Sequence, residues 1–157
     1  MKITDLALEM TERANGAIVR AARATPADKL TWGPDGARST LEILQEVAGS
    51  AMWPVMIALA EKAPEFDPDQ MHQVVEARKA MDTVDKCEAE LEKNMQKLRE
   101  FLNSFPEERL SEKIELPFMP DMVMTRAEIL FSHYWNTTYH TGQICYLQTM
   151  LGDKEMR

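Results

Sequence analysis

Cysteine is scarce. Cys87 and Cys145 are the two thiols in 157 residues, too few for a disulfide framework. Both fall within helical periodicity and read as small buried thiols. No activating group flanks Cys87, and Cys145 lies five residues past His140, off its face. Positive charge is also short, with 18 basic against 26 acidic residues and a net charge of −8. A nucleic-acid binder needs a basic face to displace phosphate counterions. No Lys/Arg cluster stands outside ordinary helix faces, so no nucleic-acid partner is expected. No apolar run approaches the length of a membrane span, so no membrane partner is expected either. The opening MKITDLALEM carries a charge at position 2 and acids soon after. That pattern is not a secretory leader, and a reducing cytoplasm is the expected setting.

What is present is helical. The length suits one domain over residues 1–157, with room for a substantial core. Ile3, Leu6, Met10, Ala14, Ala17 or Ile18, and Ala21 recur at helical spacing. Thr4 or Asp5 is the expected cap, Pro26 lies beyond the end, and Gly16 suggests a close helix crossing. The loop PADKLTWGPDGARS follows, with Trp32 placed to plug one end of a bundle. Ser39 and Glu42 form a capping box. It opens a helix whose apolar face runs through Ile43, Leu44, Val47, Ala51 and Val55. Pro54 predicts a kink or break near Met52 and Trp53. APEFDPDQ reads as a loop, and His72 as a surface histidine in a polar stretch.

The strongest period runs from Thr83 to Phe105 through Val84, Cys87, Leu91, Asn94, Leu98 and Phe101. It is a packing seam, with Asn94 as a polar interruption that fixes register or meets another buried polar group. Pro106 ends it. Ile114, Leu116 and Phe118 alternate with polar residues, which predicts a short extended segment or hairpin limited by Pro117 and Pro120. Thr125 and Glu128 form a second capping box, and the last helix runs to Leu151 with Gly152 as its stop. Four long helical patterns without strand–helix alternation predict an all-α four-helix bundle. The twelve methionines are read as gap-fillers.

The last helix carries the chemistry. On a helical wheel Leu130, His133, Thr137, His140, Ile144, Leu147 and Leu151 share one stripe, flanked by Asn136 and Gln143. Bundles build cofactor and metal sites from such inward polar groups. His133 and His140 stand about 10.5 Å apart along the axis by the helical rise, too far to share one ion directly. Asn136 and His140 have the right spacing, but a neutral amide is a weak ligand.

TTYHTGQICYLQTMLG, residues 137–152, resembles the last helix of the DinB-like superfamily, which includes the YfiT-like bundles. That helix typically reads H-x3-H-x-G-Q before an apolar run and a Leu-Gly stop. His140, Gly142, Gln143, Leu151 and Gly152 match it. STLEILQEVA is similar to the family's second helix, and KLTWGPDGARS to the segment before it. The resemblance implies a metal site of three histidines, one from the second helix and two from the last. Here Glu46 and Asn136 take two of those positions, and only His140 is kept. It implies a divalent metal (zinc, nickel or manganese), weakly held or absent, on Glu46, Asn136 and His140. His133 is the candidate proton acceptor and catalytic residue. Trp53, Thr137, Tyr139 and Gln143 are candidate pocket residues.

Three readings follow. The resemblance implies a metal-dependent hydrolase or thiol transferase with an altered metal site. The same cavity suits a non-catalytic small-ligand-binding protein. A polar seam that only sets helix register suits a dimeric interaction module, and the resemblance implies a homodimer.

Overall fold

The structure is a computed structural model describing residues 1–60, 67–116 and 122–155. Part of the expected APEFDPDQ loop, together with Pro117, Phe118 and Pro120, lies outside the described residues.

Helix α1 spans Ile3–Ala24. Its N-cap is Lys2, two positions before Thr4 and three before Asp5. Asp5 still serves the terminus, because its carboxylate accepts the Lys2 N–H at 3.2 Å. Ile18 takes the core position and is fully buried, while Ala17 stays half-exposed. Helix α2 spans Thr40–Ser50. The Ser39 hydroxyl accepts the Glu42 N–H at 3.3 Å, and Glu42 accepts the Ser39 N–H at 2.8 Å. The expected break follows, and α3 (Trp53–Leu59) restarts with Pro54 in its first turn. There the missing N–H has no intrahelical acceptor to lose.

Helix α4, Pro68–Arg78, was not expected. It has no buried residue and is started by Asp67, whose side chain accepts the N–H groups of Asp69 and Gln70. His72 lies on it, exposed as expected. Helix α5 covers Val84–Ser104, capped by Thr83. Strands β1 (Lys113–Glu115) and β2 (Val123–Thr125) pair antiparallel, with Ile114 opposite Met124. The expected last helix is two pieces, α6 (Arg126–Leu130) and α7 (Ser132–Met150), separated at Phe131. Gly152 closes α7 at φ +93°, a conformation that disfavours a side chain.

Cross-helix bonds give the directions. Asn15 meets His133 and Ala21 meets Gln148, so α1 and α7 run parallel. Arg23 pairs with Glu88 and Glu12 with Arg99, so α5 opposes α1. Arg38 reaches Gln143 while Glu46 reaches His140, so α2 opposes α7. Each of α1 and α2 packs against both α5 and α7.

The core divides in two. Ile18, Leu44, Val47, Cys87, Leu91 and Ile144 belong to one apolar cluster. Ala7, Val55, Leu98, Leu102, Ile129 and Leu130 belong to the other. Between them in each helix's order lie buried polar residues: Thr11 and Asn15 in α1, Asn94 in α5, His133 and Thr137 in α7. Asn94 donates to the Ala48 carbonyl at 3.3 Å and to Glu90 at 3.1 Å. No helix among the described residues is long and apolar enough to cross a membrane.

Candidate functional site

The residue before the α2 cap is Arg38, so its side chain starts at the mouth of the α2–α7 interface. Glu46 lies two turns further along α2, and His140 faces it from α7. Glu46 Oε1 stands 3.1 Å from His140 Nε2. His140 Nδ1 stands 2.7 Å from Gln143 Oε1. The Arg38 guanidinium pairs with the other Glu46 oxygen and donates to Gln143 Oε1 at 3.4 Å. The four side chains therefore close a ring of polar contacts. His140 is 3% exposed, whereas Glu46 and Arg38 are partly open to solvent.

The proton count of this ring is informative. Arg38 only donates, so the oxygens of Glu46 and Gln143 both accept from it. Both ring nitrogens of His140 face those same two side chains. Burial pushes the imidazole below its ordinary pKa, the bond to Gln143 acts the other way, and Arg38 adds a smaller downward push. A neutral imidazole donates through one nitrogen only. One contact of the ring is then short of a proton, and His140 and Glu46 are placed to exchange one.

The donor set does not fit a tightly bound transition metal. No group of three His, Cys, Asp or Glu converges among the described residues. Glu46 already carries a guanidinium on its other oxygen, which neutralises the charge a metal ion would draw on. Asn136 is half-buried on α7 and makes no hydrogen bond to Glu46 or His140.

His133 lies elsewhere. It is 3% exposed, and its Nε2 is 3.1 Å from Asn15 Oδ1 and 3.5 Å from Thr137 Oγ1. It points at α1. Burial pushes its pKa down to about 4. Thr137, fully buried, belongs with His133, and Trp53 packs on the second apolar cluster. Tyr139 is 64% exposed and sets its ring edge-to-face on His140, with centroids 5.4 Å apart. Tyr139 and Gln143 line a groove of about 410 Å³ beside the ring, together with Arg38, Ile43, Tyr146 and Met150.

Cys87 is buried, and burial lifts its thiol to about 11, which removes it as a nucleophile. Cys145 is only half-buried, against the expectation of two buried thiols. Arg38 was missed by sequence reasoning. It sits in an aperiodic loop, and its one signal is its place directly before a helix cap.

The DinB family model matches residues 2–157. Among solved structures, YfiT from Bacillus subtilis is similar over 95% of this chain and 87% of its own, at 15% identity and a TM-score of 0.74. It is described as a probable metal-dependent hydrolase with an unusual four-helix bundle topology. A mycothiol-dependent maleylpyruvate isomerase is similar over 92% of this chain and 63% of its own, at 10% identity and a TM-score of 0.69. A conserved protein from Enterococcus faecalis is similar over 98% of this chain and 99% of its own, at 21% identity and a TM-score of 0.63. At these identities the likeness is one of fold. A search of the curated proteins gives no match.

Proposed function

The chain belongs to the DinB family, and from that premise we propose that it binds a small anionic molecule in the α2–α7 groove without a tightly held transition metal. The observation that carries this reading is the place of Arg38, whose guanidinium lines the groove while its contact with Glu46 behind it stands where metal binding would need a free carboxylate. Among the described residues Arg38 is the groove's one charged lining residue. It and the Gln143 amide suit a carboxylate head, while Tyr139, Tyr146, Leu147 and Met150 suit an apolar body. In this proposal His133 holds α7 to α1 and takes no part in the groove. The protein acts as a homodimer.

A second reading retains the metal-dependent hydrolase or thiol-transferase chemistry that YfiT and the isomerase suggest. Glu46 Oε1 and His140 Nε2 favour it, since they converge to 3.1 Å from two helices at the family's ligand positions. It requires Arg38 to leave the carboxylate.

One experiment separates the two. Tag-free protein is analysed for metal content, and wild type and Arg38→Gln are melted with zinc, nickel, manganese and a panel of aromatic carboxylates. Ligands that bind only the folded state raise the melting temperature. The wild type is expected to hold well under one metal per chain and to respond to a carboxylate. Arg38→Gln is expected to lose that response and to gain a metal response. One tightly held ion per wild-type chain, lost in His140→Ala, would overturn the proposal in favour of the second reading.

A further inference from the structure

The bundle has a second hollow. Because α1 and α2 each pack against α5 and α7, the α1–α5 face lies opposite the groove just described. A cavity of about 710 Å³ runs along it, lined among the described residues by α1 and α5 alone. Its charge is one-sided: Glu12, Glu88, Glu92 and Glu100 line it against a single Arg99. Arg99 is already paired with Glu12, and Glu88 is paired with Arg23 from outside the lining. Glu92 has no ion pair among the described residues, and Glu100 meets only Gln96, at 3.5 Å.

The carboxylates are in register. Glu88, Glu92 and Glu100 follow four-residue steps along α5, with Gln96 in the gap. Each step is about 6 Å along the axis by the helical rise. Like charges four residues apart disfavour a helix, so the row is a cost to α5 taken alone. Beneath the row the lining is apolar, from Val19, Leu91 and Met95, all at least nine-tenths buried.

Two independent features mark a binding site. Asn15 is 6% exposed and belongs to the lining, yet its Nδ2 has no hydrogen-bond partner. A buried amide left half-satisfied is expensive, and such groups commonly await a ligand or water. Gly16 beside it does not make the close helix crossing expected from the sequence. A Cβ there would meet only the tip of Arg20, at 3.2 Å, and no atom of a neighbouring helix. The absent side chain leaves the groove open above Asn15.

We propose that the α1–α5 groove binds a linear aliphatic polyamine. Ammonium groups a few methylenes apart sit along Glu92 and Glu100, and the methylenes cover Met95 and Leu91. The free end of the Asn15 amide takes one N–H. For this the amide presents its oxygen to the groove and its NH2 to His133. Oxygen and nitrogen of an amide exchange places by a half-turn. A neutral His133 serves Asn15 equally as donor or acceptor.

The test is calorimetric titration of the full chain with spermidine at low ionic strength. One spermidine per chain is expected, weakening as salt rises. Glu92→Gln with Glu100→Gln is expected to weaken binding by at least about tenfold, and so is Gly16→Leu, which changes no charge. Asp28→Asn with Glu108→Gln removes the same charge outside the groove and is expected to stay within about twofold. Circular dichroism confirms folding, and the two glutamate changes are at exposed positions. No binding, or equal weakening in both charge-reduced proteins with Gly16→Leu unaffected, would overturn the proposal.

Discussion

Arg126 ties the start of α6 to the end of α3 and to Glu112. Its side chain is 4% exposed. Nε donates to Glu112 at 2.8 Å, and Nη1 donates to the carbonyls of Ala58 and Ala60, the latter at 2.9 Å. The two carbonyls lie at the C-terminal end of α3, where no intrahelical N–H remains to meet them. A cation there also suits the negative end of the helix dipole. In turn the guanidinium holds the Glu112 carboxyl below the usual carboxylate range. Arg126→Met keeps length and apolar stem but leaves both carbonyls unmet and Glu112 with Arg109 alone. It is expected to lower stability by about 2–4 kcal/mol, read as a fall in the urea midpoint at unchanged slope. A loss under about 0.5 kcal/mol would show that water replaces these contacts freely. None of this was legible in the sequence. An arginine directly after a Thr125 cap reads as an ordinary surface residue, and its partners lie 14 to 68 residues away.

At the level of elements, the legible part was whatever periodicity encodes. The apolar stripes of α1, α2, α5 and α7 and both capping boxes are local patterns, and the structure has them. Helix α4 was missed because it buries nothing and so has no stripe to detect. The break at Phe131 was missed because neither proline nor glycine marks it. The wheel of α7 did place His133, Thr137 and His140 inward, all 3% exposed or less. It could not tell that His133 and His140 serve different neighbours. His133 belongs to the polar layer between the two apolar clusters, and its hydrogen-bonding partners, Asn15 and Thr137, are neutral. Its pKa of about 4 lies below the ordinary histidine value of 6.5. Between those values the unfolded chain binds the proton that the folded chain refuses. The contribution is therefore fully present above pH 6.5 and is lost as pH falls towards 4. The whole step is about 3 kcal/mol, at about 1.4 kcal/mol for each unit. His133→Gln keeps a neutral polar group in the layer. Its stability is expected to fall less steeply than wild type between pH 6.5 and 4. Parallel curves would show that His133 is protonated within the folded bundle.

For the whole molecule, the order of the helices was readable but their directions were not. Short loops favour antiparallel neighbours, yet α1 and α7 run parallel, and α2 and α5 both oppose them. Only long-range pairs such as Asn15 with His133 reveal this. The arrangement gives α7 two apolar surfaces. Its inner stripe fills the core, while Trp135, Tyr139, Tyr146 and Met150 share an outer stripe at 75%, 64%, 67% and 48% exposure. Aromatic side chains so exposed and aligned suit a protein interface. The proposed homodimer would use this stripe, because residues 135, 139, 146 and 150 fall on one side of the helix and a twofold axis would pair the stripe with itself. Such a contact also closes the α2–α7 groove, which Tyr139, Tyr146 and Met150 help to line. Sedimentation of wild type is expected to give a dimer, and Trp135→Ser with Tyr146→Ser a monomer. Both changes lie on the surface, so the fold should persist by circular dichroism. A wild-type monomer at tens of micromolar, or about that order of concentration, would remove the stripe as an interface between copies and leave the groove open on that side.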